Sequence, residues 1–254
     1  MTAPALNDHE TDRRFGGLSR LYGAFGASQI RSAHVVVVGV GGVGSWAVEC
    51  LARSGVSTLT LIDMDHVSES NINRQLHALT STLGMAKVQA MKNRITDINP
   101  DCQVHVIEDF ISADNLEQYL ASDVDAVIDA CDQVSAKVAM AAWAMSHQQP
   151  FITVGAAGGK QLAHLVDVTD LGLSTHDPLL AQVRQRLRKE HAAPVSGAFG
   201  VHAVFSKEKV MQPSLSESSQ RDSSLNCHGY GSVVTVTATF GNCAASWVLN
   251  QLAS

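Results

Sequence analysis

The run AHVVVVG, residues 33–39, is short, β-branched and uncharged, as a strand buried on both faces of a parallel sheet is. Glycines end it. GVGGVGS then leads into WAVECLARSG, where apolar residues recur at helical spacing until Gly55, a residue suited to a helix C-terminus. TLTLIDMD follows as a second buried strand. The three pieces form a βαβ unit, since parallel neighbours need a crossover helix between them.

The alternation continues with a helix over 83–98, a strand at QVHVIED, a helix over 113–120, a strand at AVIDACD, a helix over 134–147 and a strand at FITVG. The expected class is α/β: a Rossmann-like, mostly parallel sheet with helices on both faces, extended by C-terminal strands and helices. LAHLVDV alternates polar and apolar residues like a half-exposed strand, and the architecture changes character near Gly159.

A surface helix within 170–191 concentrates Arg184, Arg186, Arg188 and Lys189, either as a solvated face or as a nucleic-acid contact. Residues 206–226, rich in Ser, Gln and charge, predict a mobile loop and a candidate lid. Residues 229–252 carry no charge and are long enough to span a membrane. Glycines and asparagines interrupt them and no cations flank them, so a buried core helix is expected.

A net charge of −6 argues against nucleic-acid binding through a general electrostatic field. The five cysteines are scattered and form no CxxC pair, which excludes a disulfide framework and a zinc-cysteine site. Charges in MTAPALNDHETDRR occupy the place of a signal peptide's apolar stretch, so this segment reads as a short leader of a cytoplasmic protein.

Gly39, Gly41 and Gly44 satisfy GxGxxG between strand and helix, with Gly42 inside the turn and Asp63 at the end of the next strand. Such glycines admit phosphates to backbone N–H groups at a helix N-terminus, and the acid accepts ribose hydroxyls. This pattern alone does not separate NAD from ATP. Arg74 and Lys87 on the following segments point to a nucleotide that loses pyrophosphate, whose departing charge needs cations. Asp129 and Asp132 stand where an open parallel sheet presents its ligand crevice. Asp132 suits magnesium, while Asp129 suits either magnesium or a helix cap.

GVGGVGS, LIDMD, SESNINRQ, GMAKVQA and DACDQ, in this order and spacing, resemble the family of MoeB, ThiF and ubiquitin-activating enzymes over residues 30–160. RFGGLSRLYG, NINRQ, the tract around VTDLGLSTHDPL and the ending GYGSVVTVTATFG extend the likeness to that family's tRNA threonylcarbamoyladenosine dehydratases over nearly the whole chain. The resemblance implies ATP and Mg²⁺ as cofactors, no structural zinc, and tRNA as substrate. It assigns nucleotide contacts to Asp63, Ser70, Asn71, Asn73, Arg74 and Lys87, and the metal to Asp132, with Arg74, Lys87 and Asp132 catalytic.

The same resemblance implies a homodimer whose partner contributes an N-terminal arginine, with Arg14 and Arg20 as rivals, and cooperation with a cysteine desulfurase and its sulfur-acceptor protein. The implied domains are a leader and dimer-contact segment (1–29), an adenylation core (30–160) and a C-terminal extension (161–254). The implied reaction is cyclisation of threonylcarbamoyladenosine in tRNA through an acyl-adenylate. The alternative is adenylation of the C-terminal carboxylate of a ubiquitin-like sulfur carrier. An NAD-dependent oxidoreductase and a non-catalytic nucleotide-binding adaptor are rivals from other classes. Cys227, beside His228, reads either as a thioester-forming nucleophile or as a structural cysteine, the latter favoured.

Overall fold

The structure is a computed structural model and describes residues 13–120, 123–211 and 230–254. Cys227, His228 and most of the 206–226 stretch lie outside the described residues.

β1 (His34–Val38) lies inside the sheet with β2 (Thr58–Ile62) on one side and β4 (Ala126–Asp129) on the other, both parallel to it. β3 (Gln103–Ile107) adds beyond β2, and β5 (Phe151–Val154) beyond β4. The seven-stranded order is β3-β2-β1-β4-β5-β7-β6, where β6 is Val166–Asp170 and β7 is His202–Ser206. Only the β6 and β7 pair is antiparallel. Strand order reverses between β1 and β4, and that switch point opens a crevice at the strands' C-terminal ends.

The valine run of β1 serves two cores at once, because successive side chains point to opposite faces. Val35 and Val37 join a cluster with α1 (Gly17–Ser32), α2 (Gly44–Arg53), α3 (Lys87–Ile98) and α7 (Val234–Leu252). Val36 and Val38 join the opposite cluster with α4 (Leu116–Tyr119), α5 (Val134–Ser146) and α6 (Pro178–Glu190). Helices therefore cover both faces, as the chain's periodicity predicts.

α7 is the uncharged stretch expected to be either a span or a core helix. It packs along α2 and the sheet, burying Val236, Phe240, Ala244, Ala245 and Val248. The two helices approach so closely that a Cβ on Gly241 would overlap the Val43 carbonyl. Among the described residues, no helix is long and apolar enough to cross a membrane.

Several expectations shift. The helix placed at 83–98 starts at Lys87, because Gly84 takes a left-handed φ of 80° that a helix cannot hold. The helix at 113–120 shrinks to α4's single turn. Most of α1 falls in the implied leader and dimer-contact segment, beyond the 1–14 stretch read as a leader; it is kinked at Gly23 and packed against the end of α7. β7 answers to no predicted element. It is set by pairing with β5 and β6, both distant in sequence, and not by a local pattern.

Candidate nucleotide site

A cavity of about 290 Å³ opens at the β1/β4 switch point. Gly39, at φ 83°, turns the chain out of β1, and a Cβ there would sit 2.7 Å from the Cys131 nitrogen. A Cβ on Gly44 would overlap the Gly39 carbonyl, so this glycine lets α2 start directly on the strand end. Gly41 and Gly42 line the cavity; little crowds Gly41, while a Cβ on Gly42 would sit 3.3 Å from the Arg74 side chain. The three motif glycines thus divide their work between turn, close approach and helix packing.

Asp63 leaves β2 and lines the same cavity, with Oδ2 accepting from Val40 N at 2.6 Å and Oδ1 from Asp65 N at 2.8 Å. Burial raises its pKa, partly opposed by the Lys87 cation and the two backbone bonds. Each oxygen keeps a second lone pair for a hydroxyl donor.

The crossover from β2 to α3 delivers Asn71, Arg74 and Lys87, all buried and all lining the cavity. Asn71 Oδ1 accepts from Ser68 N at 3.1 Å within a capping box, so its NH₂ is free of that bond. Lys87 is only 5% exposed and donates to Asp65 Oδ2 at 2.7 Å, leaving two further ammonium hydrogens. Asp132 is exposed and also lines the cavity, in the β4–α5 connection two residues before α5 begins.

Other residues named from sequence fall outside the cavity wall. The Ser70 carbonyl accepts from Arg74 and its hydroxyl lies 2.9 Å from that of Ser68, and Asn73 bonds Ser232 and Arg74. Arg14 Nη1 donates to the Ile98 carbonyl at 2.8 Å, satisfying the C-terminus of α3. Arg20 is exposed on α1.

Asp129 fills neither role considered for it. It is fully buried, pairs with Lys137 Nζ at 3.1 Å, and accepts the Thr153 hydroxyl at 2.6 Å. The helix that follows, α5, has Gln133 at its N-cap with no side-chain cap. A buried lysine on the next helical turn took the carboxylate, and sequence spacing alone does not announce such a pair.

The basic helix α6 is largely committed within the chain. Arg184 bonds the Ser174 hydroxyl, Arg186 pairs with Glu190 at 2.8 Å, and Arg188 lies over the Phe199 ring at 5.3 Å. The described cysteines are free thiols with pKa values raised by burial, Cys102 to about 12, so they lack thiolate character.

Sequence reasoning missed Gln75, Phe110, Gln133, Leu179 and Thr237 in the cavity wall. Gln75 was within reach, as it directly follows Arg74. Thr237 arrives on α7 from far along the chain, with no local signal. Among the described residues no group of three or more His, Cys, Asp or Glu forms a metal site. Mg²⁺ asks for less, one or two carboxylates completed by phosphate oxygens and water, and Asp132 meets that requirement.

Behind this wall His77 is 2% exposed and neither ring nitrogen has a partner. Burial, with the Lys87 charge adding to it, lowers its pKa from 6.5 to about 4. The folded state therefore binds this proton more weakly than the unfolded chain. Its contribution to stability is full above pH 6.5 and is lost as pH falls toward 4. Denaturant unfolding at pH 7 and pH 4 is expected to show the wild type losing roughly 3 kcal/mol more than His77→Leu. Equal losses would contradict this.

The ThiF family model matches residues 16–254. The tRNA threonylcarbamoyladenosine dehydratase of Haemophilus influenzae is 43% identical over 244 residues, covering 95% of this chain and 94% of that protein. The crystal structure of Escherichia coli tRNA N6-threonylcarbamoyladenosine dehydratase in complex with ATP superposes with a TM-score of 0.88 at 41% identity. It covers 98% of this chain and 97% of that one. The sulfur carrier protein ThiS adenylyltransferase of E. coli is 32% identical over 148 residues, 58% of this chain and 59% of that protein. A switch-point cavity with a glycine turn, a ribose-suited acid and two crossover cations accords with these likenesses: the chain belongs to the ThiF family.

Proposed function

We propose that this protein is an ATP-dependent tRNA threonylcarbamoyladenosine dehydratase, which cyclises its substrate nucleoside through an acyl-adenylate. The observation that carries the reading is the convergence of Arg74 and Lys87 on one cavity with the Gly39–Gly44 turn and Asp63. Likeness to dehydratases along nearly the full length of both chains supports it.

In this reading Asp63 accepts the ribose hydroxyls, and the Gly41–Gly42 backbone meets the phosphates at the N-terminus of α2. The threonyl carboxylate attacks the α-phosphorus and pyrophosphate leaves. Arg74, Lys87 and the Asn71 amide stabilise the charge that builds on the oxygens. The tethered carbamoyl group then attacks the activated acyl carbon, AMP departs, and a five-membered ring closes with net loss of one water. Tethering gives this step a high effective molarity over competing hydrolysis.

Asp132 would hold Mg²⁺, which when bound offsets phosphate charge during the displacement. The reading extends to a cytoplasmic homodimer. With Arg14 occupied at the end of α3, Arg20 is the arginine left to serve a partner's site. Association with a cysteine desulfurase and its acceptor protein rests on family resemblance alone.

Adenylation of a sulfur carrier draws less support, because that likeness spans 58% of the chain and the sequence has no CxxC pair. Nucleotide analysis tests the adenylation step that both readings share. Incubation with ATP, magnesium and tRNA bearing threonylcarbamoyladenosine should yield AMP and pyrophosphate in equal amounts. ADP and phosphate would sink the adenylation step.

A further inference from the structure

We infer that Asn73 is a positioning residue for Arg74, which divides the guanidinium's donors between the protein and the nucleotide. The inference rests on the adenylation reading and deepens it. Arg74 Nη1 carries two hydrogens, and two acceptors face it: the Ser70 carbonyl at 2.6 Å and Asn73 Oδ1 at 3.0 Å. Both hydrogens are thereby spent inside the protein.

The Nε and Nη2 donors bond no described residue and share one edge of the planar group. That edge presents parallel N–H bonds, the geometry that matches two oxygens of a phosphate. Binding Nη1 on the far side fixes the rotation of the guanidinium and aims the free edge.

The clamp is itself anchored. Asn73 Nδ2 donates to the Ser232 carbonyl at 2.9 Å, just ahead of α7. The Arg74 main chain is held from two more elements, since its carbonyl accepts from Trp46 Nε1 of α2 at 3.0 Å and from the Thr237 hydroxyl of α7 at 3.5 Å. Asn73 does not line the cavity, whereas Arg74 does, so the asparagine acts on the nucleotide through the arginine. Donors fixed before the ligand arrives stabilise developing charge without reorganising, which is where such a clamp has its effect.

A double-mutant cycle tests this, with ATP affinity measured by calorimetry and adenylation by pyrophosphate exchange, on wild type, Asn73→Ala, Arg74→Lys and the double variant. Asn73→Ala is expected to weaken ATP binding about tenfold and slow exchange at least as much, with an unchanged unfolding midpoint. In the Arg74→Lys background the same substitution is expected to change affinity by less than about twofold. An equal factor in both backgrounds would make Asn73 an independent contributor and overturn the role. So would an Asn73→Ala protein that binds and exchanges like wild type. Wild-type protein that binds no ATP would overturn the adenylation reading and the positioning role together.

Discussion

Replacing Lys87 with alanine is expected to slow ATP-dependent pyrophosphate exchange on the order of 10²–10³-fold, about 3–4 kcal/mol of transition-state stabilisation. The residue begins α3 with its side chain buried and its ammonium in the cavity, so its position costs nothing to organise when charge moves onto the leaving group. Its salt bridge to Asp65 is a weak competitor, because that carboxylate is 60% exposed and well screened. For the same reason the fold should lose little, about 1 kcal/mol or less from the pair. A variant with normal exchange and a lowered unfolding midpoint would assign Lys87 to the scaffold.

The largest effect on stability is expected at Lys137 and Asp129. Both are inaccessible to solvent, and Thr153 completes the carboxylate's hydrogen bonding. Lys137→Met leaves a buried carboxylate without its cation, and Asp129→Leu leaves a buried cation without its anion. Each is expected to cost about 3–5 kcal/mol in denaturant unfolding. The double variant should recover much of that loss, because removing both charges also removes the desolvation that the pair has to offset. Single variants within about 1 kcal/mol of wild type would mean that water or a relaxed backbone reaches the pair.

Much of the fold was legible in local patterning. The β1 valines, the glycine turn and the LIDMD strand announce themselves because a buried parallel strand has no polar alternation to confuse it. That Asn71, Arg74 and Lys87 gather at one place was legible too, since they sit on short segments that follow a predicted strand, and all three line the cavity. β7 was not, because its place depends on partners at β5 and β6, and five residues of local sequence do not record them.

Asp129 was misread for a related reason. Its position at a strand end resembles that of Asp132, and only the three-dimensional approach of Lys137 distinguishes a buried structural acid from an exposed acid on the cavity wall. Asn73 shows the same limit at finer scale. Motif position assigned it to the phosphates, while the side chain bonds Ser232 and Arg74 and does not line the cavity.

Mass spectrometry of nucleosides from dehydratase-deficient tRNA, incubated with the protein, ATP and magnesium, decides whether this protein closes the ring. Threonylcarbamoyladenosine is expected to be converted to a product lighter by one water, dependent on ATP and abolished in Lys87→Ala. An unchanged nucleoside mass, from a protein that binds ATP and exchanges pyrophosphate, would contradict it and direct the adenylation to another carboxylate.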